Sequence, residues 1–214
     1  MLIAYLDILK NKNIFLCSQS KPRRNLLEQL GLQLNIYPSS FEEDLDKSLY
    51  KDPKDYVKDT CQGKVNDILK KFQQENINWD IAIFCDTIIV LNEKIIEKPE
   101  SEQQAADFLR TFKNNTQYVH TACFVLFNDK QNNKVIERHV IDTCKVIFGD
   151  IPEECIVAYS KTDYFKGKCG GYGIQDVGAS FIERIEGQHS TVIGLPVYSL
   201  CKILVDNLKE LNWQ

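Results

Sequence analysis

The sequence predicts an α/β fold, because short β-rich runs alternate along it with segments of helical periodicity. Its 214 residues fit one core divided into two lobes around a cleft better than they fit two independent units. No repeat, low-complexity tract or linker interrupts the alternation. We therefore expect residues 1–214 to form a single α/β domain.

The first predicted strand and helix lie on either side of a polar loop. Residues 14–17 form a short apolar run, which predicts a strand. Leu26, Leu27 and Leu30 follow at helical spacing, and Gly31 is placed to end that helix. The order is therefore strand, polar loop, helix.

The middle of the chain predicts a long helix, a strand and its return. Apolar residues recur every three or four positions over residues 53–72, which is the pattern of an amphipathic helix. Lys64 lies at the edge of its inward face. Residues 79–90 predict a strand, Asn92-Glu93 a turn, and residues 94–97 the returning strand.

The second half of the chain predicts two helices, a hairpin and a closing helix. Ser101 begins a capping box that opens a helix. Residues 118–127 and 135–148 are β-rich and are separated by a polar turn, which indicates a hairpin. Asp150 precedes another helix, and regularly spaced leucines after Pro196 predict the last one.

Composition and charge exclude several classes of protein. The chain is 43% hydrophobic and 26% charged, so it is not a disordered tail. Its apolar runs are far shorter than the ~20 residues that span a bilayer, so we expect no membrane partner. A net charge of −4 argues against a large nucleic-acid surface. Any anionic partner is expected to be small.

The eight cysteines are scattered singly, with no Cys-x-x-Cys pair. This spacing favours reduced, mostly buried thiols over a disulfide framework or a metal site. The residues that follow Met1 lack the features of a secretory signal. We therefore expect a cytoplasmic protein.

The loop after the first strand is a candidate phosphate site. Ser18 and Ser20 offer hydroxyls, and Arg23 offers a guanidinium at the start of a helix. The alternative is a solvated loop that the serine merely caps. No Walker pattern is present, so the loop is not that of a P-loop NTPase.

Carboxylates and lysines form the next candidates. Asp86 follows the apolar run of the 79–90 strand and is expected to emerge at the edge of the sheet, unless it only caps a turn. Residues 42–44 are acidic and could hold Mg²⁺ or simply be solvated. Lys64 and Lys98 are either site residues or surface lysines.

Glycines concentrate near the end of the chain. Seven of the ten fall between Gly167 and Gly194, which predicts tight turns or close backbone approaches. Gln175 lies in this segment, and its amide provides a donor and an acceptor that suit the edge of a base. Glycines that only make turns are the alternative.

Taken in order, five motifs closely resemble those of the Maf family of nucleoside triphosphate pyrophosphatases. They are Ser18-Gln19-Ser20-x-x-Arg23, Cys85-Asp86-Thr87, Glu97-Lys98-Pro99, Gly171-Tyr172-Gly173-Ile174-Gln175 and Val192-Ile193-Gly194-Leu195-Pro196. The match runs from about residue 13 to residue 205. The resemblance implies an α/β fold of the inosine-triphosphatase type, with a mixed twisted sheet, two lobes flanking a substrate cleft, and a homodimer.

The resemblance also implies roles for individual residues. The phosphate loop would consist of Ser18, Ser20 and Arg23, the site lysines would be Lys64 and Lys98, and the metal-binding carboxylates would be Glu43 and Asp86, with Asp86 also the proton acceptor. Substrate-discriminating positions fall at Pro22, Thr87 and Gln175. The threonine and the glutamine resemble the subgroup that hydrolyses dTTP and UTP.

Pro22 departs from the family pattern. The usual loop reads Ser-Pro-Arg-Arg, and the ungapped alignment places Lys21 and Pro22 on the proline and the first arginine. One specificity-linked arginine is therefore missing. Lys21 or Arg24 could supply its charge but not its bidentate geometry. Arg24 is expected to be an ordinary residue of the helix surface.

The reaction that the resemblance implies is hydrolysis of a nucleoside triphosphate to the monophosphate and pyrophosphate, with Mg²⁺ or Mn²⁺. Its transition state concentrates negative charge on the phosphates, so catalysis is mainly positioning and electrostatics. Three alternatives stay open. They are a nucleotide-binding regulator with little turnover, an enzyme for modified nucleotides, and a nucleic-acid-binding module that depends on residues 21–24.

Overall fold

The computed structural model describes residues 1–213, and within them it confirms the predicted α/β fold with a mixed sheet. The strands are β1 (Ile14–Leu16), β2 (Asn35–Ile36), β3 (Ile81–Leu91), β4 (Lys94–Ile96), β5 (Thr116–Asp129), β6 (Lys134–Phe148) and β7 (Ile182–Glu186). The α-helices are α1 (Leu6–Leu9), α2 (Lys21–Gln29), α3 (Pro53–Gln74), α4 (Glu102–Phe112), α5 (Glu153–Ser160), α6 (His189–Ile193) and α7 (Val197–Glu210). The sheet order is β2-β1-β3-β5-β6-β7, and β4 pairs with β3.

The chain divides into two compact units. Unit 1 comprises residues 1–86, 122–141 and 194 onward, and unit 2 comprises residues 87–121 and 142–193. The boundary between Asp86 and Thr87 falls inside β3. That residues 1–214 act as one domain stays a prediction.

Unit 1 is built on parallel strands. β1 pairs in parallel with β2 on one side and with β3 on the other. Leu27 of α2 and Leu204 of α7 are fully buried in the same apolar cluster as Ile14 and Ile83 of the strands. The predicted first strand, the helix after it and the closing helix are therefore confirmed.

The long helix α3 begins where its sequence predicts. Asp52 is its N-cap and accepts a hydrogen bond from the Lys54 amide at 2.9 Å. Pro53 occupies the first turn, where a missing amide hydrogen costs no helical bond. The inward face of the helix carries the buried residues Val57, Cys61, Lys64, Val65, Ile68 and Phe72. This face brings one lysine into the interior of unit 1.

Unit 2 contains the predicted turn and capped helix. Asn92 and Glu93 have φ values of 49° and 63°, and they join β3 to the antiparallel β4. Ser101 caps α4 by accepting a hydrogen bond from the Gln104 amide at 3.1 Å. The Gln104 side chain accepts from the Glu100 amide rather than from the cap residue itself. The second hydrogen bond of the capping box therefore involves the amide of the residue before the N-cap.

Several short elements escape sequence prediction. The segment from Leu2 to Leu9 forms a 3₁₀ turn followed by α1, β7 is an edge strand antiparallel to β6, and α6 has only five residues. Each is too short to show a hydrophobic period. β7 also has exposed charged residues where a buried strand would be apolar.

The cysteine prediction is confirmed. All eight are free thiols, six of them buried, with Cys155 exposed and Cys169 half-buried. Burial raises the pKa of the Cys61 thiol well above its usual value, so this side chain stays neutral. Cys85 is also fully enclosed beside Asp86. These thiols fill apolar space.

The long helix α3 is too polar to lie in a bilayer. Among residues 1–213, no helix combines the length and the apolar character that a membrane span needs.

Candidate functional site

The centre of the candidate site lies where β3 continues past its shorter parallel neighbour. β1 pairs with β3 only through residues 81–83, and the Cys17 amide adds one more bond to the Ile83 carbonyl. Asp86 therefore lies just beyond the carboxyl end of β1. The prediction that Asp86 emerges at the sheet edge is wrong, because the residue lies in the middle of β3 with only 6% exposure.

The loop from β1 to α2 is held by its serines. Ser20 is the N-cap of α2 and accepts a hydrogen bond from the Arg23 amide at 3.4 Å. The Ser18 hydroxyl accepts one from the Ser20 amide at 3.2 Å. The loop is therefore serine-capped, as the alternative interpretation requires, and it also carries the candidate phosphate groups at a helix start.

Arg23 is anchored in unit 1 through its guanidinium. Nε donates to the carbonyl of Gly194 at 2.8 Å, and Nη1 donates to the carbonyl of Cys85 at 2.9 Å and to Ser18 Oγ at 3.3 Å. These three contacts fix the position of the guanidinium. Arg23 therefore presents a fixed cation beside residue 86.

Its neighbour Arg24 is a surface residue, as expected. Arg24 Nε pairs with Glu28 Oε1 at 2.7 Å, one turn along an exposed face of α2. Pro22 lies in the first turn of the same helix, which proline tolerates. Lys21 is exposed.

Lys64 joins the two candidate metal carboxylates. Its Nζ lies 2.7 Å from Asp86 Oδ1 and 2.6 Å from Glu43 Oε1. The side chains of Lys64 and Asp86 are each 9% exposed, whereas that of Glu43 is 44% exposed. The Lys64 ammonium thus contacts both a buried carboxylate, Asp86, and a more accessible one, Glu43.

The charge balance of this cluster is visible in the pKa of Lys64. Burial alone would lower this pKa, but the negative charges of Asp86 and Glu43 outweigh that effect and raise it above the usual value. The positive charge of Arg23 opposes the increase. Lys64 therefore stays protonated at neutral pH.

The loop that carries Glu43 is tied to α3. Asp67 Oδ2 accepts hydrogen bonds from the Ser39 hydroxyl at 2.7 Å and from the Ser40 amide at 2.9 Å. Lys71 Nζ contacts the same carboxylate at 3.0 Å and the Ser40 hydroxyl at 2.5 Å. These bonds fix the loop one turn from Lys64.

Phe41 packs directly on the backbone of α3. A Cβ added at Gly63 would lie 2.3 Å from Cζ of the Phe41 ring, closer than side chains approach. Gly63 precedes Lys64, and Phe41 lies two residues before Glu43. The missing side chain at position 63 therefore lets the loop approach closely enough for Glu43 to reach Lys64.

Replacing Gly63 by alanine is expected to lower kcat/KM about tenfold for the reaction that the family resemblance implies, while leaving stability almost unchanged. Alanine favours a helix over glycine by ~1 kcal/mol, so α3 itself is not weakened. The added methyl group displaces the Phe41 ring and with it Glu43, and small misplacements in a site are costly. Steady-state kinetics and thermal unfolding measure the two effects.

Asn66→Ala is the matched control, because this exposed residue lies on the same helix one turn further on. Its kinetics should equal those of the wild type. Unchanged kcat/KM in Gly63→Ala would show that the Phe41 contact does not position Glu43.

Within unit 2, Thr87 is linked to the sheet and to the glycine-rich segment. Its Oγ1 lies 3.0 Å from Thr121 Oγ1, and its carbonyl accepts a contact from Cys169 Sγ at 3.6 Å. Thr87 is the one residue of β3 that is not fully buried. It is therefore the point at which this strand reaches an accessible surface.

Lys98 is exposed on the segment after β4, and its neighbours pack on the glycine-rich segment. The Gly170 amide donates to the Glu97 carbonyl at 2.9 Å. At Gly171, where φ is 70°, an added Cβ would lie 2.7 Å from Cγ of Pro99. The glycines therefore allow the two motifs of unit 2 to lie against each other.

Gln175 is exposed on a turn that an ion pair holds. Lys168 Nζ pairs with Asp176 and donates to the Tyr164 carbonyl at 2.7 Å. Asp176 also accepts from the Gly178 amide at 2.8 Å and caps the following 3₁₀ turn. The residue next to Gln175 is thus firmly placed.

Two carboxylates of unit 1 are of the kind that a magnesium-type ion uses as ligands. Among residues 1–213, no group of three or more His, Cys, Asp or Glu side chains is arranged to hold a metal by itself. Mg²⁺, however, commonly uses one or two carboxylates together with waters and substrate phosphates. Glu43 and Asp86, which meet at one ammonium, satisfy that requirement.

Sequence reasoning missed the residues that support the site. Asp67 holds the Glu43 loop, and Thr121 contacts Thr87. Asp67 lies on the polar side of a helix and Thr121 lies within a β-rich run, so neither position stands out from its neighbours. Only their contacts reveal them.

Comparisons with known proteins find a matching family model and several relatives. A family model described as Maf-like protein matches residues 13–207. A dTTP/UTP pyrophosphatase of Schizosaccharomyces pombe is 33% identical over 94% of this chain and 86% of its own length. Enzymes of the same description are 34% identical in Pyrococcus furiosus, over 90% of this chain and 94% of theirs, and 33% identical in Clostridium kluyveri, over 89% and 95%.

Proposed function

Because the chain belongs to the Maf-like family, we propose that it hydrolyses dTTP and UTP to the monophosphate and pyrophosphate. The observation that carries this proposal is the cluster of Arg23, Lys64, Glu43 and Asp86 in unit 1. It combines cations with two carboxylates. Reactions at phosphate groups need cations to stabilise negative charge, and carboxylates to bind a metal or to position the attacking water.

The phosphate-binding role belongs to the loop between β1 and α2. Ser18, Ser20 and Arg23 bind the triphosphate, and the orientation of the Arg23 guanidinium is set by its bonds to two main-chain carbonyls. Lys64 and Lys98 add positive charge that offsets the charge developing on the phosphates and the leaving group.

Asp86 accepts the proton of the attacking water or orients that water. Its contact with Lys64 holds the carboxylate in one position, and the buried surroundings strengthen the interaction. A positioned base of this kind contributes a rate factor of roughly 10²–10⁴. The same residue is also suited to bind a metal, and its two roles are not exclusive.

Glu43 and Asp86 would hold Mg²⁺ or Mn²⁺ together with substrate oxygens. When bound, the cation supplies Lewis-acid polarisation and charge neutralisation at the phosphates. Lys64 contacts one oxygen of each carboxylate and balances part of their charge.

Base recognition belongs to Thr87 and Gln175 of unit 2, with the residue at position 22 modulating it. The hydroxyl and the amide offer hydrogen bonds to a pyrimidine edge. Pro22 offers none, so the specificity contribution of the usual arginine is absent.

Purified protein should release pyrophosphate from dTTP and UTP in the presence of Mg²⁺ or Mn²⁺, and more slowly from ATP, GTP and CTP. Chelation by EDTA should abolish the release, and added metal should restore it, because two carboxylates alone bind a cation weakly and reversibly. Pyrophosphate and monophosphate are quantified together, so hydrolysis at another phosphate is recognised.

Pro22→Arg tests the departure from the family pattern in the same assay. We expect it to lower KM for the preferred nucleotide, because the first turn of α2 accepts either residue and the guanidinium adds a phosphate contact. Glu28→Gln serves as a control, since it alters charge on the exposed face of the same helix. If the wild-type protein released only orthophosphate from dTTP and UTP, that result would contradict the proposed reaction.

A regulator that binds nucleotides without useful turnover is the second candidate, favoured by the proline at position 22. Calorimetry that finds tight binding of UTP with no product would support it. Comparing 5-methyl-UTP and pseudo-UTP with dTTP tests the preference for modified nucleotides.

The proposal includes a homodimer in the cytoplasm with no nucleic-acid partner. Sedimentation measures the oligomeric state, and a DNA or RNA mobility assay at low salt tests the residues of positions 21–24.

A further inference from the structure

Thr87 is the first member of a directed series of hydrogen bonds inside unit 2. Its Oγ1 lies 3.0 Å from Thr121 Oγ1, and Thr121 Oγ1 lies 2.8 Å from the carbonyl oxygen of Thr191. Thr121 and Thr191 are both fully buried. Water therefore does not compete for these groups.

The direction of the series follows from the number of hydrogens. A carbonyl oxygen only accepts, so the single hydroxyl hydrogen of Thr121 points to Thr191. Two oxygens at 2.8 Å with no hydrogen between them would repel, and the carbonyl would lose its partner. Thr87 must consequently donate its own hydrogen to Thr121.

The far end of the series is anchored. Thr191 Oγ1 donates to Asp142 Oδ2 at 2.5 Å, and Gln188 Nε2 donates to the same oxygen at 3.4 Å. Cys144 Sγ contacts the Gln188 carbonyl at 3.0 Å. The α6 segment that supplies the Thr191 carbonyl is thus fixed to β6. Because that carbonyl stays in place, the Thr121 hydroxyl keeps donating to it.

We propose that Thr121 is a specificity-determining residue, which holds the Thr87 hydroxyl as a hydrogen-bond acceptor and thereby selects a base with a ring N–H at position 3. The inference rests on the proposed function, in which Thr87 contacts the base. Toward the base, Thr87 Oγ1 then acts as an acceptor, because its hydrogen points to Thr121.

Uracil and thymine meet this requirement at one place only. Their polar edge consists of two carbonyl oxygens that flank N3–H, so N3–H is the single donor that an accepting hydroxyl can bind. Cytosine in the same position presents a lone pair at N3, and two facing acceptors repel. The hydrogen bond between Thr87 and Thr121 therefore discriminates UTP and dTTP from CTP.

The wild-type protein provides the first test. We expect kcat/KM for N3-methyl-UTP to be at least about tenfold below that for 5-methyl-UTP, because both carry one added methyl but only the first lacks the donor. We also expect CTP to be disfavoured against UTP by about tenfold to a hundredfold. Equal rates for the two methylated nucleotides would overturn the proposal.

Variants of Thr121 provide the second test. Thr121→Val releases the Thr87 hydrogen, so the UTP-to-CTP ratio of kcat/KM should fall about tenfold, mainly through KM. Thr121→Ser should restore the ratio, which a purely structural role would not require. Thr60→Val removes a buried hydroxyl of unit 1 and should leave the ratio unchanged.

The outcomes separate this proposal from the proposed function. If wild-type protein turns over UTP but Thr121→Val keeps the wild-type ratio, the role of Thr121 is wrong and the enzymatic function stands. If no nucleotide is hydrolysed, calorimetry with α,β-imido-UTP and α,β-imido-CTP measures the same selectivity as a binding ratio. Should Thr121→Val fail to fold, the two methylated nucleotides decide the question with the wild type.

Discussion

Replacing Asp86 by asparagine is expected to reduce pyrophosphate release about a thousandfold. Asparagine keeps the size of the side chain but neither accepts a proton nor binds a cation as a carboxylate does. Lys64 keeps its ion pair with Glu43, so the fold of unit 1 should survive. Stopped-time assays with UTP and Mg²⁺ measure the loss, and thermal unfolding verifies that the variant is folded.

Asp129→Asn is a matched control, because Asp86 and Asp129 are both 6% exposed and both belong to unit 1. Asp129 accepts hydrogen bonds from Asn132 and has no part in the candidate site. Its variant should keep the wild-type rate. Turnover by Asp86→Asn within tenfold of wild type, with or without metal, would remove Asp86 from its assigned role.

Replacing Lys64 by methionine is expected to destabilise the protein by about 3–5 kcal/mol, because Asp86 is left as a buried charge without its partner. Methionine has a similar length and packs well in an apolar interior, so lost volume contributes little. Urea unfolding at pH 7 measures the change. Activity should fall as well, since the cation that faces both carboxylates is gone.

Lys70→Met on the exposed face of α3 should change stability by less than about 1 kcal/mol. The double variant Lys64→Met/Asp86→Asn should recover a substantial part of the lost stability, because it leaves no unpaired buried charge.

The raised pKa of Lys64 determines how the stability that this residue contributes depends on pH. Its contribution is fully present below its ordinary value of 10.5 and is lost as the pH rises through the higher native value. Equal effects of Lys64→Met and Lys70→Met would contradict the importance of the ion pair.

The elements with a long hydrophobic period could be predicted from the sequence alone. α2, α3 and α7 lie within a few residues of their expected bounds, because their burial pattern repeats often enough to be recognised. α6 and β7 are too short to repeat such a pattern, and they are stable only through their neighbours. The same limit explains why Thr191, on α6, did not stand out.

The burial of Asp86 illustrates a different limit. An aspartate after an apolar run predicts the end of a strand, since an unpaired carboxylate is costly inside a protein. Here β3 continues for five more residues because Lys64, 22 positions earlier, supplies the opposite charge. A contact over that distance in sequence cannot be inferred from local pattern.

The sequence by itself determined the α/β class, the order of the main elements, the free cysteines and the family, because these depend on local periodicity, composition and ordered motifs. Only the tertiary structure decided that Lys64 joins Glu43 to Asp86, that Gly63 admits Phe41, and that Thr121 directs the hydroxyl of Thr87. The physical reason is that charge pairing, close packing and hydrogen-bond direction depend on distances between residues far apart in the chain. Those distances exist only in the folded protein.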